Sequence, residues 1–168
     1  MIKNFLYNYS KFFFKSLICS ILIFSHFSWA GNTLPLPRFA SLRSNEVNLR
    51  VGPGSEYPLE WVFRYEKMPI EIIQEFGPWR KIRDFEGAEG WAHQSMLSGR
   101  RMVLITGSKV ILHKDCHETS KSMAYLQLHT LGKLLECQNQ WCRIQIDKYK
   151  GWVLRHQLWG VYANENKF

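Results

Sequence analysis

Seven side chains able to ligate a metal or attack a carbonyl crowd into the last third of the chain: His113, Cys116, His117, His129, Cys137, Cys142 and His156. A cysteine nucleophile needs a base within hydrogen-bond reach and usually a third group to orient that base. Cys116 and His117 are adjacent, and adjacent residues on a strand point to opposite faces. The pair would therefore work only in a turn, and no helix presents the thiol. Zinc asks for four such ligands in a tetrahedron. The spacing offers no C-x-x-C pair, and a bridge between Cys137 and Cys142 would withdraw two of the donors. The expectation is a protein with no catalytic residue, no metal and no cofactor.

Recognition by aromatic and charged side chains is the remaining chemistry. In Trp79-Arg80-Lys81-Ile82-Arg83 the apolar Ile82 belongs to the core, so Trp79 shares the opposite face with Lys81 and Arg83. Trp141 likewise shares a face with Arg143 and Gln145, while Cys142, Ile144 and Ile146 point inward. Such a tryptophan has three placements: lining a ligand groove, packing between two domains, or folding back on its own core. Trp91 and Trp152 follow a glycine and read as core or barrel-edge residues. Asp84, Glu86 and Glu89 could accept from an amine-bearing ligand, or could simply form a solvated turn.

The elements that must carry these residues are short strands. Val47, Leu49 and Val51 alternate with Asn48 and Arg50, and Gly52-Pro53-Gly54-Ser55 ends the run in a turn. Trp61-Val62-Phe63, Pro69 to Ile73, Trp79 to Arg83 and Trp91 to His93 follow, and Gln94 to Leu97 suits one turn of 3₁₀ helix. The chain then says the same again. Trp79 answers to Trp141, Ile82 to Ile144, Gly90-Trp91 to Gly151-Trp152 and Leu97 to Leu158, at an offset that stays between 61 and 63 residues. Lys109 to Leu112, Met123 to Leu126, Lys133 to Cys137, Trp141 to Ile146 and Gly151 to Val153 give the second set of strands. A unit of that length is a complete small β-domain rather than one turn of a solenoid, whose repeats run roughly 20–50 residues. The expected architecture is all-β, with a first domain over 38–100, a second over 101–162 and a tail over 163–168. Each core is small, and an aromatic content of 15% together with packing between the repeats must compensate.

The first thirty residues stand outside this pattern. Lys3, Lys11 and Lys15 precede an apolar run from Leu17 to Phe27, and Ser28-Trp29-Ala30 supplies an A-x-A-like site. This is the form of a secretory signal peptide over 1–30, with cleavage expected after Ala30 and a lead-in over 31–37. An uncleaved anchor is the competing reading, and membrane contact would arise only through it. Cleavage removes three lysines and lowers the formal charge from +8 to +5. That surface favours anionic neighbours, but it is too scattered for a nucleic-acid stripe, and export to the periplasm removes cytoplasmic nucleic acid as a partner. Arg100 and Arg101 read as a solvated linker. An oxidising compartment permits a disulfide, and Cys137 and Cys142 flank the expected hairpin tip, leaving Cys116 as the odd thiol.

Three motifs resemble those of bacterial SH3-like domains: an N-x-R-x-G-P-G opening at Asn48 to Gly54, a W-x-x-I at Trp79 to Ile82, and a closing G-W-A at Gly90 to Ala92. The mature chain is similar to the tandem, secreted form from Gram-negative bacteria, through W-V-F…P-I-E-I-I-Q-E-F in the first repeat and G-W-V-L-R-H-Q-L-W-G-V in the second. The second copy departs at the opening, where Asp115-Cys116-His117 stands in place of Gly52-Pro53-Gly54. The resemblance implies small, partly open barrels that bind peptides, peptidoglycan stems or protein partners in the envelope, without catalysis. Tyr57, Trp61 and Tyr65 fall around the region that bounds the peptide groove of such folds, Tyr57 as a binding residue and Trp61 as core. The expected contact residues are thus Tyr57, Trp79, Lys81, Arg83 and Trp141. Their ligand would be an extended peptide, from an envelope protein or from peptidoglycan. The alternative is a structural protein whose two barrels pack as one rigid body and dock an envelope complex.

Overall fold

In the computed structural model the described residues are 34–166. The expected signal peptide and its cleavage site lie outside them. Seven strands form the first sheet: β1 (Arg38–Leu42), β2 (Val47–Arg50), β3 (Leu59–Phe63), β4 (Pro69–Phe76), β5 (Trp79–Arg83), β6 (Glu89–His93) and β7 (Leu97–Ser98). Seven more form the second: β8 (Met102–Ile105), β9 (Val110–His113), β10 (Ser122–Leu126), β11 (Leu131–Gln138), β12 (Trp141–Ile146), β13 (Tyr149–Leu154) and β14 (Leu158–Trp159). The two sheets share one topology, β3-β2-β6-β5-β4-β1-β7 and β10-β9-β13-β12-β11-β8-β14. Gln94–Met96 and Arg155–Gln157 form matching 3₁₀ turns before the last strand of each. Among the described residues no helix is long and apolar enough to cross a membrane.

The repeat holds to the level of strand register. Lys81 lies opposite Trp91 and Ile82 opposite Gly90, as Arg143 lies opposite Trp152 and Ile144 opposite Gly151. Each repeat closes its own apolar core, one around Leu49, Ile70 and Ile82, the other around Leu112, Leu134 and Ile144. The glycine of the G-W motif has a steric cause. A Cβ on Gly151 would fall 2.6 Å from the His113 carbonyl oxygen and 2.7 Å from the Leu112 side chain, so β9 crosses where only hydrogen fits.

The sequence pattern did not announce β1 and β8, because both of their faces are covered. Ala40 and Leu42 enter the first core and Val103 and Ile105 the second. The alternate residues meet the other repeat, so the period-2 contrast between buried and exposed disappears. Phe39 stacks edge-on against Trp159 at 5.2 Å and lies 4.5 Å from the Tyr162 ring. The Tyr162 hydroxyl donates to Glu71 Oε1 at 2.8 Å. On the other flank of this seam Phe85 meets His129 at 5.0 Å.

Residues 163–166, expected as a tail, are tied down by two arginines. Arg155, nearly buried, donates to the carbonyls of Tyr162 and Ala163 and to Asn166 Oδ1. Arg101, expected in a solvated linker, pairs with Glu165, donates to the Gly160 carbonyl at 2.8 Å, and sits over the Phe39 ring. Gly160 makes the bend that admits the strap. Its φ is +108°, and a Cβ there would stand 2.5 Å from the Met102 carbonyl oxygen.

The expected disulfide is present, joining Cys137 to Cys142 at directly opposed positions of the β11–β12 hairpin. The same register place in the β4–β5 hairpin holds Glu75 opposite Arg80, joined by an ion pair of 2.9 Å. Arg38 adds a second cation to that carboxylate.

Candidate functional site

The five expected contact residues do not form one site. Trp79, Lys81 and Arg83 share a face of β5, as the alternation required. Trp79 packs edge-on against His93 at 5.5 Å, while both cations are engaged. Lys81 pairs with Glu89 at 2.7 Å, and Arg83 pairs with Glu89 at 2.6 Å and Glu71 at 3.3 Å. The hydrogen bond from Lys81, followed by that from Arg83, holds the Glu89 carboxyl below its ordinary range. Glu89 in return raises the Arg83 guanidinium. A ligand anion would have to displace these carboxylates. Asp84 is likewise occupied, accepting from the backbone N–H groups of Glu86 and Ala88 in a tight turn.

Tyr57 stays half-exposed in the loop between β2 and β3. Its ring lies over Gly52, where any Cβ would fall 2.4 Å from the ring, and its carbonyl accepts from Arg50. The G-P-G opening therefore seats a tyrosine. Trp141 corrects its expected role as a contact residue: it is only 5% exposed and packs edge-on against His113 at 5.3 Å within its own repeat. Cross-strand neighbours explain this, since Trp141 and His113 share the outer face of β9, β13 and β12 and cover each other. Trp141 is thus covered within its own repeat, on the outer face of the sheet and outside the apolar core.

Trp61 departs in the opposite sense. Expected in the core, it is 59% exposed, and Tyr65 nearby is 65% exposed. β3 is the edge strand of its sheet, with β2 on one side only, so alternation does not decide which of its residues are covered. Trp61 and Tyr65 stand on the wall of a cleft of about 540 Å³ that runs between the repeats. Phe63, Met68 and Phe85 line it from the first repeat, and Leu104, His129 and Leu131 from the second. Exposed aromatics over a largely apolar lining that also carries the charged Arg64, Asp84 and Glu86 are the features of a recognition surface.

The side chains suited to metal or nucleophilic chemistry gather around one turn in part, but their rings face other partners. Cys116 is an exposed free thiol, the His117 ring turns to Thr119 Oγ1 at 3.2 Å, and the His113 ring faces the Ser120 carbonyl. Among the described residues no three His, Cys, Asp or Glu side chains gather as a metal-ligand group.

Sequence profiles of known families decide what kind of barrel this is. The family described as bacterial SH3 domain matches twice, over residues 43–99 and 107–160. The chain belongs to that family. Each match begins after the first strand of a sheet, so β1 and β8 are the parts of the two SH3 domains that lie before the matched segments. No curated protein matches the chain. Among solved structures it is similar to an NlpC/P60 family protein from Bacillus cereus, at 17% identity and a TM-score of 0.33 over 71% of this chain and 55% of that one. It is also similar to NlpC2 from Trichomonas vaginalis, at 11% identity and a TM-score of 0.35 over 80% and 52%. The chain thus spans about half the length of either structure.

Proposed function

We propose that the protein is an exported, non-catalytic binding protein of the cell envelope, and that it receives an extended peptide in the cleft between its two SH3 domains. The peptide would come from an envelope protein or from a peptidoglycan stem. The observation that carries this reading is the exposure of Trp61 and Tyr65 above a floor contributed by both domains. Large rigid side chains of this kind supply much of the affinity where they can be desolvated by a ligand, and extended peptides dock on aromatic-lined grooves and on open sheet edges such as β3. The engagement of the His113 and His117 rings with Ser120 and Thr119, and not with the Cys116 thiol, supports binding without chemistry. Trp79 and Tyr57 offer secondary contacts at most, because Trp79 is packed on His93 and its neighbouring cations are paired.

Retention on purified peptidoglycan sacculi at two salt concentrations tests the reading. The wild type is expected to be retained at both, Trp61→Ala to lose roughly 10-fold or more in affinity, and Trp79→Ala to stay close to wild type. Retention that salt abolishes equally in all three proteins would remove the wall ligand. A second reading, in which the two domains act as one rigid body docking an envelope complex, is favoured by the Tyr162–Glu71 bond across the seam. It expects Trp61→Ala to be neutral on sacculi and on peptides alike.

A further inference from the structure

The two ends of the seam are built from the same register positions but carry opposite charge. Glu71 lies opposite Phe39 on one side and Arg83 on the other. Lys133 occupies that place in the second domain, opposite Met102 and Gln145. At the first position the acid is answered, by the Tyr162 hydroxyl at 2.8 Å and by Arg83 at 3.3 Å. At the second the roles are not complemented. Lys133 lines a cleft of about 370 Å³ with Arg100 and Lys67, and Gln145 stands where Arg83 would be. Asp147 is the one carboxylate in that lining. Lys67 has Glu66 no nearer than 3.9 Å, and among the described residues neither Arg100 nor Lys133 has an ion-pair partner.

This cationic cleft continues the aromatic one. Leu131 lines both, and Lys67 and Met68, neighbours in sequence, line one each. A chain lying along the seam would pass from Trp61 and Tyr65 to Lys67, Arg100 and Lys133. We propose that the cleft of Lys67, Arg100 and Lys133 binds a carboxylate of the extended peptide that occupies the seam, and so selects acidic peptides and fixes their direction. The inference rests on the peptide-binding reading given above and adds the chemistry of the ligand. Three cations facing one acid attract and orient an anion, and the arginine can grip a carboxylate with two parallel hydrogen bonds.

The test compares native sacculi with sacculi whose carboxyl groups have been amidated, using the wild type, Trp61→Ala, and a triple variant Lys67→Gln/Arg100→Gln/Lys133→Gln. The substituted side chains are exposed, and unchanged thermal unfolding confirms that the variant folds. The wild type should bind native sacculi about 10-fold more tightly than amidated ones, as three exposed charge contacts imply. The triple variant should lose that factor on native sacculi and be indifferent to amidation. A triple variant that binds like the wild type, while Trp61→Ala does not, overturns the carboxylate site and leaves the peptide cleft standing. A variant that weakens equally on both ligands overturns it as well, because the loss is then not directed at carboxylates. Absence of wild-type binding to either preparation overturns the carboxylate site as a reader of peptidoglycan stems and removes the wall ligand from the reading given above, leaving the envelope-protein peptide.

Discussion

The Tyr162 hydroxyl reaches out of the second domain and donates to the Glu71 carboxylate of the first at 2.8 Å. The bond lies beside the Phe39 stack, half-shielded from water, so it clamps the seam and not just the strap that bears it. Tyr162→Phe keeps the ring and removes the donor, and is expected to cost about 1–2 kcal/mol in urea denaturation. Burial, and then the Glu71 hydrogen bond, also hold the Tyr162 proton far above the ordinary phenol range. A raised value means that the stabilisation is fully present below about pH 10 and is lost as pH rises through the folded value. In a spectrophotometric titration Tyr162 should ionise above the ordinary phenol range, and Tyr162→Phe should delete that step.

Glu165 sets the acid limit of the same strap. Burial pushes its carboxyl upward, but the Arg101 hydrogen bond, the Tyr162 N–H and the charges of Arg101 and Arg155 outweigh this and hold it low. A lowered value contributes stability above the unfolded carboxylate range of about 4.3 and loses it as pH falls through the folded value. Stability measured from pH 6 to pH 3 should fall less steeply in Glu165→Gln than in wild type. At pH 7 that variant is expected to be weaker by about 1 kcal/mol.

Arg155 anchors the strap from beneath, with two carbonyls and Asn166 as acceptors. Arg155→Ala removes the donors and leaves those carbonyls to water. Amide exchange at residues 162–166 should speed up by more than 10-fold while the β4–β5 hairpin is unaffected, because opening of the strap is local.

Reduction of the Cys137–Cys142 bridge, or its replacement by a pair of alanines, should destabilise the protein by about 2 kcal/mol, the chain-entropy value for so short a loop. The change should appear as faster exchange in β11 and β12. Equal loosening of β4 and β5 would contradict independent cores.

Trp61 and Trp79 should separate binding from stability. Trp61→Ala is expected to change stability by less than about 0.5 kcal/mol, as for an exposed site. Trp79→Ala loses its half-buried ring packing on His93 and should cost roughly 1–2 kcal/mol. Thermal unfolding of the two variants side by side checks this.

Much of the fold was legible because the two halves corroborate each other. Ile82 and Ile144 fall on the core face where alternation put them, and Cys137 and Cys142 face each other across the hairpin as their spacing allowed. Alternation failed where a strand has other than one covered face. β1 and β8 are covered on both, so Phe39 and Leu104 looked no different from Ala40 and Val103. β3 is an edge, so Trp61 emerges although its residue type belongs inside. The site was harder still. Trp79 and Trp141 attracted notice as tryptophans beside cations, but those cations are answered locally or the ring is buried. His129, Lys67, Arg100 and Lys133 gain significance only from a seam that brings residues of two domains together. The one available signal was in the alignment of the repeats, where Lys133 replaces Glu71.

The hairpin pins have a consequence for descent. If the two domains arose from one ancestral copy, the position held by Glu75 with Arg80 and by Cys137 with Cys142 had to change in both strands together. An intermediate with cysteine facing arginine would leave a thiol and a cation unmatched, and glutamate facing cysteine would leave a carboxylate so. Each single step gives up the ion pair before the disulfide can form. Hairpins grafted between such domains should therefore be exchanged as whole units, and a library that shuffles single positions would be expected to lose most members at this pair.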